Sequence, residues 1–255
     1  MKIPFNIKLI IVLLSTTLII QVAFFVFPEW SNVLPQPFEV IKVGISEFFL
    51  GNIFIDILVS LKRVIVGFLL ATIIAVPLAI FSSHHRIGRY LVNINELLRH
   101  IPPIAWIPVA IVLFGLGDAS AFFIVFLGSF FPIFLNTFFG ANSLPLVYIR
   151  VCQSFELPKI VYMKDILFKF SLPYIFTGLR IGIGMAWMSV IAAELIGAQS
   201  GLGYYIQFNR LLLHMDKVVF GMLLIGLIGL TLNKLIKLLE KKVLVWAPSN
   251  HHDRN

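Results

Sequence analysis

The sequence predicts an all-α, polytopic helical membrane protein with six transmembrane helices. Hydrophobic residues make up 59% of the 255 positions. Charged residues make up 13%, against roughly a quarter in soluble domains. Charge-poor apolar runs recur along the chain at close to the roughly 20 residues that a spanning helix needs. A soluble fold cannot bury that much apolar surface. The lone cysteine, Cys152, excludes a disulfide framework and a cysteine zinc cluster. The formal net charge is +8, but the basic residues lie between apolar runs instead of on an aromatic-studded polar face, which is the membrane pattern and not that of nucleic-acid binding.

The first expected span is Leu9 to Phe27, preceded by Lys2 and Lys8. No A-x-A cleavage site follows it, so it reads as a retained helix and not as a signal peptide. Pro28, Pro35 and Pro37 then break the chain before an amphipathic stretch around Glu39 to Leu50, expected along the outer interface. Further spans are expected at Val64 to Phe81, Ile104 to Leu116, Ala119 to Asn142, Leu172 to Ile196 and Val218 to Asn233. The third is short and interrupted by Pro102, Pro103 and Pro108, so it is expected to begin near Tyr90 and to kink. The resulting division is 1–52 for the first helix and outer connection, 53–242 for a core of five spans with a connecting loop at 143–171, and 243–255 for a tail.

Placing both termini in the cytoplasm puts Arg86, Arg89, Arg99, Arg150, Lys159, Lys164, Lys169, Lys234, Lys237, Lys241, Lys242 and Arg254 there together with Lys2 and Lys8. Lys42, Arg210 and Lys217 fall outside, and Lys62, Arg63 and Arg180 lie at or within spans. That asymmetry sets the orientation. Two adjacent histidines in the tail, His251 and His252, have no ligand-bearing neighbours in sequence, and no metal site is expected.

The connection after the fourth span is long and half apolar. A helix over Leu146 to Phe155, a turn at Glu156 and Leu157, and a second helix with Pro158 at its first position account for its punctuation. In that second helix Ile160, Met163, Leu167 and Phe170 share a stripe opposite Lys159, Asp165 and Lys169, the last two spaced to pair. Such a hairpin suits either a partner's groove or the lipid surface. No Gly is followed by Lys, so there is no phosphate loop, and neither H-E-x-x-H nor G-x-S-x-G occurs.

Charges inside spans are costly unless they face protein or water. Arg63 at the start of the second span and Glu194 near the outer end of the fifth are expected at similar depth. They either line the outer half of a path, with Arg63 favouring an anion, or pair between helices. Arg180 is expected to anchor the cytoplasmic segment. Gly178 and Gly182 form a G-x-x-x-G, with Gly184 following, suited to close helix approach between subunits or within one. Trp187, like Trp106, is read as core or path-lining.

Five ordered blocks carry a resemblance: SLKRVIVGFLLA (Ser60 to Ala71), RHIPPIAWIPVAIVLFGLGDAS (Arg99 to Ser120), FFPIFLNTFFG (Phe130 to Gly140), LPYIFTGLRIGIGMAWMSVIAAEL (Leu172 to Leu195) and GLG (Gly201 to Gly203). From about Pro35 to Val219 the chain resembles the permease family of ATP-binding-cassette importers for sulfonates, taurine, nitrate and bicarbonate. The resemblance implies the type I importer permease fold in an inner membrane. It implies a permease dimer, of two copies of this chain or of this chain and a different permease subunit, and separate ATPase subunits that hold ATP and Mg, leaving this chain with no cofactor and no catalytic residue. It also implies a periplasmic or lipid-anchored solute-binding protein at the outer face, where Gly201 to Gly203 would form a tight turn able to meet it. The ATPase would be coupled through Arg150, Val151, Cys152, Ser154, Phe155, Glu156, Leu157, Pro158 and Lys159, and the span carrying Gly178, Gly182 and Gly184 would line the dimer axis. Glu156 stands where the family's loop has Gly, and Lys169 where it has its first Pro. Glu156 enters the left-handed region less freely than Gly, so a differently shaped turn is expected. The alternative is a membrane scaffold with a degenerate coupling loop.

Overall fold

The computed structural model describes residues 35–83, 85 and 87–246, and among these every regular element is helical. The expected first span at Leu9 to Phe27, Arg86 and the tail beyond residue 246 lie outside the described residues. Chain order gives α1 (Pro37–Leu50), α2 (Ile53–Ser83), α3 (Ile87–Arg99), a 3-10 turn (Pro103–Trp106), α4 (Ile107–Phe114), α5 (Asp118–Asn142), α6 (Leu146–Ser154), α7 (Lys159–Gly197), α8 (Leu202–Leu211) and α9 (Met215–Val243). Four of them, α2, α5, α7 and α9, are long and apolar enough to cross a membrane, and the bent pair α3 and α4 raises the number to five.

α5 is the centre of the bundle and packs against both α2 and α7. Small residues let the backbones approach. A Cβ on Gly67 of α2 would lie 2.6 Å from Val125, one on Gly128 would fall on Ser189 Oγ, and one on Gly140 would lie 2.5 Å from Tyr174. These pairings make α2 parallel to α5 and α5 antiparallel to α7. Opposite that seam, Phe126, Phe130, Phe134 and Phe138 stack at i, i+4 spacing, with ring centroids 5.4 to 6.1 Å apart. α9 runs antiparallel to α7, since Trp187 donates to the Ile225 carbonyl at 2.9 Å while Arg180 reaches Glu240. The bundle therefore has an α6 end, which also carries the close of α9, and an α8 end, which carries Arg63 and Asp118.

Three boundaries depart from expectation for physical reasons. α2 begins at Ile53 and not near Val64, because Asp56, Lys62 and Arg63, which look like a span boundary, are neutralised by partners and the helix runs through them. The third span is not one kinked helix from Tyr90. α3 and α4 meet at 89° across Pro102 and Pro103, where the missing donors and the restricted residues preceding each proline end the first helix. α7 does not start afresh at Leu172: it is continuous from Lys159, with π-helical turns at Tyr162–Leu167 and Pro173 inside. The stretch expected along the outer interface is α1, and it docks on α9, where Gly44 sits under Phe220 and Glu47 pairs with Lys217 at 2.7 Å.

Candidate functional site

At the α8 end one guanidinium holds three helices and a loop together. Arg63 is 3% exposed. Its Nε donates to Asp118 Oδ1 at 2.9 Å and its Nη2 lies 2.8 Å from the same oxygen. Nη1 donates to Glu194 Oε1 at 2.9 Å and to the Ser200 carbonyl at 2.7 Å, and Nη2 also meets Ser200 Oγ at 3.2 Å. All five N–H directions are thus engaged. Lys62, which is exposed, completes Asp118 at 2.8 Å.

Glu194 is buried and fully partnered. Ser60 Oγ lies 2.8 Å from both of its oxygens, and the Gly203 amide donates to Oε2 at 2.9 Å. The Gly201 amide donates to Asp56 Oδ1 at 2.7 Å and the Leu202 amide to Ser60 Oγ at 2.9 Å. Three amides at the start of α8, which no intrahelical carbonyl can satisfy, are therefore capped by side chains of α2 and α7. The Glu194 carboxylate also faces the positive end of that helix. Gly201 has φ +105°, and a Cβ on it would fall on the Glu194 carboxylate. Only glycine fits both the backbone angle and the space.

Arg63 and Glu194 meet, as their depth suggested, in an interhelical ion pair in which every guanidinium donor is already engaged. The Gly201 to Gly203 turn is buried inward on Glu194. Sequence reasoning missed Asp56, Ser60, Asp118 and Ser200 as members of this network. Its available signal was the crowding of Asp56, Lys62 and Arg63 into an otherwise apolar helix.

The other singled-out residues of α7 separate by face. Gly178 abuts Ile133, Pro132 and Asn136, and Gly182 abuts Ile133 and Phe68, so both pack against helices of their own subunit. Gly184 has nothing within 4 Å. It belongs to a bare stripe of Ile181, Met185, Met188 and Ile196, with Met188 70% exposed. Trp187 faces the opposite way and is buried against α9, with its indole N–H on the Ile225 carbonyl and its ring over Gly229. Arg180 does not anchor the α6 segment; its Nε lies 3.4 Å from Glu240 Oε2 on α9.

At the α6 end, α6 closes in a Schellman turn. The Leu157 amide donates to the Cys152 carbonyl at 3.1 Å and the Glu156 amide to the Gln153 carbonyl at 3.0 Å. Glu156 carries the left-handed conformation of that turn, φ +50°. The expectation of a differently shaped turn is therefore corrected: two hydrogen bonds and an exposed carboxylate hold Glu in the place where Gly is usual. Pro158, expected at the first helical position, is the N-cap residue, and α7 begins at Lys159.

Cys152 turns into the protein, whereas Arg150, Val151, Ser154, Phe155, Leu157, Pro158 and Lys159 are exposed. Phe155, at the tip, is 75% exposed, and Leu146, Val147, Tyr148 and Ile160 extend the apolar surface. Of the stripe expected on the second limb, Leu167 is fully buried and Met163 and Phe170 pack on the core, leaving Ile160 outside. Asp165 and Lys169 pair at 3.0 Å. Among the described residues no group of three or more His, Cys, Asp or Glu side chains is arranged to hold a metal ion.

Comparison with known proteins accounts for this architecture. Residues 64–245 match the family described as binding-protein-dependent transport system inner membrane component. A Methanocaldococcus jannaschii protein, named as a candidate ABC transporter permease, is 41% identical over 217 residues, covering 84% of this chain and 79% of the relative. The nitrate import permease protein NrtB of Synechocystis is 36% identical over 227 residues, covering 84% and 82%. A Bacillus subtilis protein, SsuC, named as a candidate aliphatic sulfonates transport permease, is 30% identical over 220 residues, covering 86% and 80%. A helical bundle with several apolar spans, matched over most of its length to such proteins, places this chain in the family of inner-membrane components of binding-protein-dependent transport systems, as an ABC transporter permease.

Proposed function

We propose that this chain, paired with a second permease subunit, forms the translocation path of an importer for a small anion of the nitrate or sulfonate class, driven by separate ATPase subunits. The observation that carries the reading is the tip of α6. Exposed apolar side chains flank a rigid Schellman turn at the basic end of the bundle, and this turn leads without a break into the 39-residue α7. A protein gripping Val151, Phe155 and Leu157 from the cytosol would move α7 as a lever, because no hinge loop separates the grip from the span. The ATPase must supply ATP and Mg, as this chain has no phosphate loop.

The orientation follows from charge. Arg150, Lys159, Lys164, Lys169, Lys234, Lys237, Lys241 and Lys242 cluster at the α6 end, so that end faces the cytosol and the Arg63 network faces outward. The bare stripe of α7 is the surface left for the second permease subunit and the path between them, a homodimer in the simplest arrangement. From Ile181 to Ile196 the stripe carries no charge, and Arg63 is fully engaged elsewhere, so substrate choice rests with the binding protein at the outer face.

The scaffold alternative rested on a degenerate coupling loop, and the turn at Glu156 keeps the hydrogen bonds of a Gly-terminated helix. Proteoliposomes containing this chain, its ATPase and its binding protein test the reading. ATP-dependent accumulation of nitrate or an alkylsulfonate is expected. Intact assembly with ATP hydrolysis but no uptake of either anion would reject the substrate class.

A further inference from the structure

α3 is strongly two-faced. Arg89, Asn93, Glu96 and His100, the last in the turn that closes the helix, recur at spacings of four, three and four and share one polar stripe, about 17 Å long at 1.5 Å per residue. Arg89, Asn93 and His100 are exposed and Glu96 is half-buried. One residue further on, Tyr90, Ile94, Leu97 and Ile101 repeat the same spacing as an exposed apolar stripe. Among the described residues the Arg89, Asn93 and Glu96 side chains meet no hydrogen-bonding or charged partner. His100 Nδ1 meets the Glu96 carbonyl, which leaves its Nε2 uncommitted.

The two ends of α3 fix its level in the bundle. Gly88 packs on the Ser82 carbonyl and on Phe138, close to the α6 end of α5. Beyond α3, Ile107 and Ala110 share a cluster with Ala121 and Ile124 of α5 and Ala193 of α7. Phe138 and Ile124 stand 14 residues apart on α5, so the chain climbs about 21 Å along the bundle between these contacts. α4 does not make that climb. Ile107 at its start and Phe114 at its end both meet the turn of α5 at 121–124, the Phe114 ring lying 5.2 Å from that of Phe123. α4 therefore lies across the bundle, and α3, at 89° to it, runs along it. The 13 residues of α3 measure about 20 Å and supply most of the climb. Arg89 is thus near the α6 end and His100 near mid-bundle.

Charged and amide side chains at that depth are costly against hydrocarbon, and where they persist they face protein or a water-filled pathway. No protein partner within the subunit meets this stripe. We propose that Arg89, Asn93, Glu96 and His100 form the wet wall of the cytosolic half of the translocation path, with Tyr90, Ile94 and Leu97 marking the rim where that wall turns away from water. Arg99 is exposed beside them, so two arginines and a histidine stand against Glu96 alone, a balance that suits a passing anion. Water entering from the cytosol also explains how Arg99 counts with the cytosolic cations while lying at mid-bundle. The inference rests on the importer reading and the orientation proposed above.

The test uses inverted membrane vesicles from cells carrying the complete transporter, so that reagents arrive on the cytosolic face. Single cysteines replace Arg89, Asn93 or His100 on the polar stripe and Ile94 or Leu97 on the apolar one, and the buried Cys152 of the unsubstituted chain sets the background. Each pKa unit by which hydrocarbon raises a thiol costs about tenfold in thiolate, so a small water-soluble thiol reagent should react at 89, 93 and 100 at least about tenfold faster than at 94 and 97. A polymer-bound maleimide should react at 89 and fail at 100, because the wall runs inward from the mouth. A helix lying flat on the membrane surface would give the polymer equal access to both.

Equal rates on the two stripes, or equal access of the polymer to positions 89 and 100, would overturn the proposal. Uptake of nitrate and an alkylsulfonate is read in intact wild-type cells. If neither anion enters while the labelling contrast holds, the substrate class falls and the wall stands.

Discussion

Arg63 Nη1 lies 2.9 Å from Glu194 Oε1, joining α2 to α7 at a buried site where each partner is saturated by further hydrogen bonds. Breaking such a pair by removing one member strands a charge, which costs about 3–5 kcal/mol. Arg63→Ala should therefore lose folded protein in detergent and should not yield an intact transporter with weakened anion uptake. In a thermal double-mutant cycle Arg63→Leu and Glu194→Leu should be non-additive by about 1–3 kcal/mol, the double variant being less damaged than the sum of the singles. Additive losses would mean that the two side chains act independently.

Gly201→Ala places a methyl on the Glu194 carboxylate at φ +105°. The strain and the displaced carboxylate together should cost about 1–3 kcal/mol. Limited proteolysis should then cut between residues 197 and 203 in the variant before it cuts the wild type, since the amides that open α8 lose their caps.

Three of the glycines of α7 should part company. Gly178→Leu and Gly182→Leu drive a side chain into Ile133 and should fail to fold, whereas Gly184→Trp meets nothing within 4 Å in its own subunit. The Gly184 variant is expected to keep the subunit's unfolding temperature and to shift the permease from dimer to monomer in size analysis. An unchanged dimer would place the bare stripe outside the subunit seam.

Glu156→Gly removes the penalty of an L-residue in the left-handed region, roughly 1–2 kcal/mol, offset in part by glycine's greater chain entropy. A net stabilisation of about 1 kcal/mol is expected, read by thermal unfolding, with ATP-driven uptake retained. Glu156→Pro cannot adopt φ +50° and should abolish coupling.

The sequence made the order of the described spans largely legible because long apolar runs dominate every other signal. Helix ends were less so. Asp56, Lys62 and Arg63 look like a boundary until their partners are seen, and those partners, Asp118, Ser200 and Glu194, are distant in the chain. The 89° break at Pro102 and Pro103 was visible as punctuation but not as an angle, since prolines end a helix without fixing where the chain goes next. At the tip, the residues around Glu156 could be named from spacing and resemblance. The backbone angle of Glu156 could not, because propensity argues against it and only the hydrogen bonds to Cys152 and Gln153 carbonyls show why it holds. Close approach was sought at the G-x-x-x-G of α7, and the facing glycines of α5, Gly128 and Gly140, carry as much of it.

The proposed coupling depends most on α6 and its turn being held by an ATPase. A photo-reactive amino acid at Phe155, with a control at exposed Met222 on α9, tests it in the purified, ATP-hydrolysing complex. A crosslink from position 155 to the ATPase subunit, absent from position 222, is predicted. A complex that hydrolyses ATP and drives uptake while position 155 crosslinks only to lipid would contradict it.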